Sequence, residues 1–165
     1  MTITPRPLVT LFCAAALGTL TACAPENVVP SGEEIAKAAQ AKGVTISNAR
    51  VVLAPVAGNP AAVYFDLAYE GKPGVSIVNI AVEGVGMTMI HDYAESEGTR
   101  KMVMAGPVVL STEEPVSLAP GGLHGMAMDP GPDLKPGSTA MITINLSDGT
   151  SAGVNAPVRA AGEER

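Results

Sequence analysis

Short runs of residues, some alternating between apolar and polar and others continuously apolar and β-branched, occupy most of the chain from Val44 onward and are separated by turns rich in Gly and Pro. Alternation with a period of two indicates strands that each bury one face. These runs cover residues 44–47, 50–53, 62–69, 75–85, 87–93, 101–103, 108–110, 116–118, 140–146 and 152–158. A turn at Asp148-Gly149 separates the last two, which are expected to form a hairpin. The pattern predicts an all-β domain over residues 44–160, an antiparallel sandwich or barrel, followed by a short tail at 161–165.

The first 22 residues have a different character. Residues 8–20 are apolar, follow a single basic residue, Arg6, and are too few to span a membrane as a helix. They end at Leu20-Thr21-Ala22-Cys23, which resembles the lipobox of bacterial lipoproteins. That resemblance implies a signal peptide at 1–22, a lipid on Cys23 and a place on the periplasmic side of a bacterial membrane. An ordinary cleaved signal peptide is the alternative.

Residues 23–43 are expected to be a lipidated tether with a short helix. Ser31 and Glu34 have the spacing of a capping box, and Gly43 can end the helix that follows. The residue after Cys23 is Ala24 rather than Asp, which by resemblance to sorting patterns favours the outer membrane where the organism has one. The lipid would anchor the protein to the membrane without spanning it.

The two cysteines of the chain, Cys13 and Cys23, both lie in this N-terminal part. The predicted β domain therefore has no thiol and no disulfide, which suits an oxidising compartment. An electron-transfer cupredoxin needs a cysteine thiolate as copper ligand and is excluded. With 16 acidic and 10 basic residues and no basic stripe, the chain is not expected to bind nucleic acid. It also shows no nucleophile elbow, phosphate loop or carboxylate pair near a histidine, so we do not expect an enzyme.

The histidines and methionines are clustered. The chain has two histidines, His91 and His124, and six of its eight methionines lie between positions 87 and 128: Met87, Met89, Met102, Met104, Met126 and Met128. Every local spacing among them is two, so a strand would place the His and Met side chains of each segment on one face. Thioether sulfur binds the soft ion Cu(I) well and zinc, magnesium or calcium poorly, and imidazole adds a stronger donor.

His91, Met102, His124 and Met126 follow the spacing H-x10-M-x21-H-x-M, which resembles the signature of the PCuAC-type periplasmic copper chaperones. The segments Leu-Ala-Pro-Gly-Gly-Leu-His at 118–124 and Leu-Lys-Pro-Gly at 134–137 also resemble that family. The likeness extends over about residues 44–158. It implies a cupredoxin-like Greek-key β-sandwich, with these four residues as Cu(I) ligands. It also implies delivery of copper to a cuproenzyme such as the CuA site of cytochrome c oxidase.

Other readings remain open. The same site would serve a copper-buffering or resistance lipoprotein without a dedicated acceptor, and a structural lipoprotein without metal is a further alternative. The motif does not include Met87, Met89, Met104 and Met128, which are expected in the core or at the rim of the site. Asp92 and Glu95 are candidates for orienting an imidazole, although a solvated edge is the commoner role, and Tyr93 is expected to be a packing residue.

Overall fold

The computed structural model describes residues 43–96 and 98–163. Within them the chain forms ten strands and no helix. The strands are β1 (Val44–Val52), β2 (Ala61–Tyr69), β3 (Ser76–Val82), β4 (Val85–Ser96), β5 (Thr99–Met104), β6 (Val108–Val109), β7 (Val116–Leu118), β8 (His124–Pro130), β9 (Thr139–Leu146) and β10 (Ser151–Arg159). The expected signal peptide, the lipid on Cys23 and the helix before Gly43 lie outside the described residues. In the described part, no helix has the length and apolar character needed to cross a membrane.

The strands are connected in the order β5-β4-β8-β2-β1-β10-β9-β3-β6, and β7 pairs with β2. All pairs are antiparallel except β1 and β10, which run parallel where Val51 faces Val158. This order has two halves, β5-β4-β8-β2-β1 and β10-β9-β3-β6. The consecutive strands β3 and β4 lie in different halves, because the chain crosses over at the turn Glu83-Gly84. The predicted run at 75–85 therefore contains the whole of β3, this turn and the first residue of β4.

The two halves enclose one aliphatic core. Its largest fully buried side chains include Phe65 and Leu118 from the half that contains β2, and Ile80, Ile142 and Ile144 from the half that contains β3. Burial of both inner faces against each other is what makes the folded sheet a sandwich. The predicted all-β sandwich is therefore confirmed, with one parallel pair added to an otherwise antiparallel arrangement.

Most strands lie where the alternation predicts them, and the β9–β10 hairpin pairs Asn145 with Ser151 as expected. The two segments at 44–47 and 50–53 instead form one strand, β1, whose register against β2 shifts between Ser47 and Arg50. Asn48 adopts a φ of 53° at the shift. This left-handed residue interrupts the alternation, so that one irregular strand has the sequence pattern of two.

β8 is packed closely against β2. Gly125 lies opposite Val63, and a Cβ atom on Gly125 would be only 2.8 Å from the Cβ of Val63. Val63 is fully buried, so it has no room to move away. The glycine therefore permits the close approach that holds β8, with His124 and Met126 on either side of it, against the centre of the sheet.

We predict that Gly125→Ala lowers the free energy of unfolding by about 1–3 kcal/mol, the usual cost of overpacking. Gly86→Ala in β4 is the matched control, because a Cβ atom there meets nothing within 4 Å. Urea denaturation measures both. Equal stability of the two variants would contradict the packing role of Gly125.

Asp66 in β2 ties β1 and β7 to the sheet. Asn48 Nδ2 donates a hydrogen bond of 2.6 Å to one carboxylate oxygen, and the Ser117 hydroxyl donates one of 2.6 Å to the other. These two bonds, in that order, and the charge of Arg50 lower the pKa of Asp66, while burial acts in the opposite direction. The ionised carboxylate is therefore the form that the folded state favours.

A carboxyl group with a lowered folded-state pKa stabilises the protein above its unfolded pKa, and this contribution is lost as the pH falls through the folded value. Ser117→Ala removes one donor and should lower stability at neutral pH. We expect the difference from wild type to shrink as the pH falls below about 4, the ordinary range of an aspartate. Thermal unfolding from pH 7 to pH 2 measures it, and a difference that stays constant would contradict the assignment.

Candidate metal centre

The central strand of the site is β4, which pairs with β5 on one side and β8 on the other, antiparallel in both cases. His91 lies directly opposite His124 of β8 and directly opposite Met104 of β5. We call residues that lie directly opposite one another on these three strands a row, and one row consists of Met104, His91 and His124. Residues opposite each other in an antiparallel pair have Cβ atoms about 4.5–5.5 Å apart, so the side chains in this row are neighbours.

The neighbouring rows carry the remaining methionines. Tyr93 faces Met102, Met89 faces Met126, and Met87 faces Met128. Opposed residues share a face, and so do residues two apart along a strand, which places all six methionines and both histidines on one face. The intervening residues Ile90 and Ala127 pack on the core. The His and Met side chains consequently occupy the outer face of this part of the sheet.

Around His91 the register brings together the four residues of the predicted motif. His124 is its direct neighbour, while Met102 and Met126 are each one row away on the two flanking strands. Diagonal positions are about 7–8 Å apart, within reach of a flexible methionine side chain. The structure adds Met104, which the motif does not include and which lies nearer to His91 in register than Met102 does.

His124 is held in a fixed orientation. Only 5% of the residue is exposed, and its Nδ1 lies 2.7 Å from the carbonyl oxygen of Gly122. A carbonyl oxygen can only accept, so Nδ1 carries a proton, and in the neutral imidazole Nε2 is the nitrogen with the free lone pair. Gly121, in the turn before β8, has a φ of 81°, which only glycine adopts readily. The Pro-Gly-Gly sequence thereby aims a backbone carbonyl at the imidazole.

Tyr93 and Arg100 support the same ring. The Tyr93 and His124 rings lie 5.6 Å apart at an angle of 33°, and the Arg100 guanidinium carbon lies 4.5 Å from the centre of the Tyr93 ring. Arg100 also donates a hydrogen bond to the Gly121 carbonyl oxygen. The expected packing role of Tyr93 thus includes stacking on a candidate ligand, a contact that sequence spacing alone does not reveal.

The two acidic residues considered for this role make other contacts. The Asp92 carboxylate accepts a hydrogen bond of 2.7 Å from the backbone N–H of Tyr93. Glu95 is exposed and faces Arg100 across the β4–β5 pair. In the described part of the chain, the contact that orients His124 is thus made by the Gly122 carbonyl.

His91 has an unsatisfied nitrogen. Its Nδ1 is buried and makes no hydrogen bond within the described residues. The His91 and His124 rings meet edge to face, with centres 6.2 Å apart and an angle of 85°. A buried polar atom without a partner costs about 1–3 kcal/mol, a penalty that binding to a metal ion would remove.

Uncharged donors make up this face: two imidazoles and several thioethers. Among residues 43–96 and 98–163, no three His, Cys, Asp or Glu side chains are grouped so that they could hold a metal ion. A site of this composition fits a soft monovalent ion, because thioether sulfur binds Cu(I) well and hard divalent cations poorly. Fold and donor set together define a β-sandwich protein with one face rich in soft, uncharged donors.

The chain shares the PCuAC fold with solved structures. The solution structure of CuI-DR1885 from Deinococcus radiodurans is 26% identical to it, with a TM-score of 0.59, over 79% of this chain and 89% of that one. The apo PCuAC domain from PmoF1 is 23% identical, with a TM-score of 0.57, over 72% of this chain and 94% of that one. The predicted cupredoxin-like fold of the PCuAC type is confirmed.

Residues 44–158 match the LpqE-like lipoprotein family, and the chain belongs to it. Protein RP573 of Rickettsia prowazekii is 34% identical over 59% of this chain and 54% of that protein, so the chain spans about half the length of this curated relative. Lipoprotein Lxx21020 of Leifsonia xyli subsp. xyli is 29% identical over 96% of this chain and 93% of that protein.

Proposed function

We propose that the protein is an extracytoplasmic, lipid-anchored chaperone for Cu(I), which carries copper and does not catalyse a reaction. The ligands are His91, Met102, His124 and Met126. One observation carries the proposal: the β4–β8 register sets His91 directly opposite His124, with both motif methionines on the same face. The Cu(I)-bound state of the structurally similar DR1885 supports it.

The donor set explains why this ion would be preferred. Two neutral imidazoles and two thioethers add no negative charge, so they stabilise a monovalent ion without the strong attraction that a divalent ion needs from carboxylates. Thioethers need no deprotonation and form no disulfides, so the ligands persist in an oxidising compartment. The lone pair on His124 Nε2 and the unpartnered Nδ1 of His91 supply the nitrogen donors.

Differences in exposure suggest how copper would leave. His124 is buried, whereas 46% of Met102 is exposed. An incoming ligand from an acceptor protein therefore reaches the methionine side of the ion first. Copper would pass to the acceptor by stepwise exchange, in which the Met102 bond breaks before the bonds to the histidines. The acceptor we propose is a cuproenzyme such as the CuA site of cytochrome c oxidase.

A lipid on Cys23 would hold this domain at the outer surface of a bacterial cytoplasmic membrane or at the periplasmic face of an outer membrane. Membership of the LpqE-like lipoproteins supports the anchor. Residues 24–43 would then tether the sandwich: the seven residues before the expected helix reach about 25 Å when extended, and a helix of about 12 residues adds roughly 18 Å. That length would let the domain move between a copper source and an acceptor near the membrane.

We predict that the His124→Ala, Met126→Leu double variant binds Cu(I) at least about a hundredfold more weakly than wild type. Loss of a residue that only orients a metal ligand typically lowers affinity about 10–100-fold, and loss of the ligands themselves should lower it further. A titration of the full chain in detergent against a chromogenic Cu(I) chelator measures the affinity, with Cys13 and Cys23 replaced by Ser in all the proteins compared so that no thiolate competes for the ion. The control is Met141→Leu, a methionine of β9 on the other half of the sandwich.

Wild-type affinity in the His124/Met126 double variant would refute copper binding at this face. The same titration separates the two methionines of β5. Met102→Leu should weaken binding about tenfold or more, whereas Met104→Leu should leave it within about threefold if the motif residue is the ligand. The reverse order would assign the third ligand to Met104, the residue opposite His91.

Transfer distinguishes a chaperone from a copper buffer. Mixing the Cu(I)-loaded chain with a purified apo CuA domain should move copper to the acceptor faster than free dissociation into a chelator allows, because ligand exchange avoids release of the bare ion. Stopped-flow absorbance of the chelator and of the assembled CuA centre measures the two rates. Copper that stays on this protein, or that moves only at the dissociation rate, would favour the buffering role.

A further inference from the structure

Three methionines outside the proposed ligand set continue the same face away from the histidines. Met87 of β4 lies directly opposite Met128 of β8, and Met89 lies two residues from Met87 on the same side of β4. The register of β4 against β8 does not shift along their paired segments. Direct neighbours have Cβ atoms about 4.5–5.5 Å apart, and diagonal neighbours about 7–8 Å.

Such spacing lets three sulfur atoms meet around one ion. Rotation about the Cα–Cβ and Cβ–Cγ bonds of the unbranched methionine side chain can move its sulfur by several ångströms without any change in the backbone. Three neutral thioethers give a trigonal, low-charge donor set, which suits Cu(I) and the chemically similar Ag(I) and offers little to hard or divalent cations. The outer face of β4 and β8 therefore has the composition of a second soft-metal site.

The positions of these side chains argue against a role as core filler. The exposed fraction of Met87 is 56%, and Met89 and Met128 are half-buried. The core-facing neighbours on the same strands are Thr88, Ile90 and Ala127. An outer strand face in contact with water usually carries polar residues, so methionine at three adjacent positions needs an explanation other than packing.

We propose that Met87, Met89 and Met128 form a second Cu(I) site, distinct from the site at the histidines and of lower affinity. Met89 lies directly opposite Met126, and Met87 and Met128 lie in the next row, so the two sites share one continuous face. The lower affinity follows from the loss of both imidazoles, which are stronger donors than thioethers. Its existence depends on the strand register and does not require that His91 and His124 bind copper.

Titration of the full chain in detergent with Ag(I), a stable substitute for Cu(I), tests the proposal. Cys13 and Cys23 are replaced by Ser in all the proteins compared, wild type included, because a free thiolate would also bind the ion. Wild type should bind two equivalents, the second more weakly. The Met87→Leu, Met89→Leu, Met128→Leu triple variant should bind one, with the affinity of the first unchanged within about threefold. Leucine preserves volume and apolar character, so these exposed substitutions should cost little stability. Met141→Leu is the control and should keep both equivalents.

Methyl NMR supplies a second measurement. The Cε methyl signals of Met87, Met89 and Met128 should shift between the first and second equivalents of Ag(I), while that of Met141 stays in place. A wild-type stoichiometry of one, or a second equivalent that survives in the triple variant, would overturn the proposal. The His124→Ala, Met126→Leu variant separates the two sites: survival of the tight equivalent there would refute the proposed function and leave the second site standing.

Discussion

The register of β4 between β5 and β8 is the constraint on which the candidate centre depends. Because strand side chains alternate between faces, a slip of one residue would turn His91 into the core and Ile90 out to the surface. Burial of Ile90 and Ala127 opposes such a slip, as does the tight fit of Gly125 against Val63. Core packing on one face thus fixes which donor side chains lie on the other.

This arrangement gives the centre one rigid side and one adaptable side. His124 is buried, hydrogen-bonded to a backbone carbonyl and stacked on Tyr93, so its lone pair is aimed before any ion arrives. The methionines around it are longer, more exposed and free to change rotamer. A carrier needs both properties, since preorganised nitrogen donors favour capture and mobile sulfur donors permit release.

The sequence predicts which donor residues of each strand share a face, because His91, His124 and the methionines are spaced two residues apart along their strands. The sequence does not predict which strands pair or in which register, since spacing along one strand does not identify the residue that lies opposite on its neighbour. The motif spacing therefore does not include Met104, although Met104 faces His91 across the β4–β5 pair. The support of His124 by Tyr93, Arg100 and the Gly122 carbonyl also depends on contacts between separate segments. Asn48 made one strand look like two, because a single left-handed residue breaks the alternation.

The direction of β2 relates the metal face to the point where the chain enters the domain. Val44 pairs with Tyr69 at one end of β2, while Met126 pairs with Ala62, seven residues towards the other end. At about 3.3 Å per residue, these pairs lie roughly 20 Å apart along the strand, and Met128 lies further still. A tether that leads into Val44 from a membrane would hold the methionine end of the face outward, towards the aqueous phase. An acceptor could then approach that end head-on, without passing between the sandwich and the lipid.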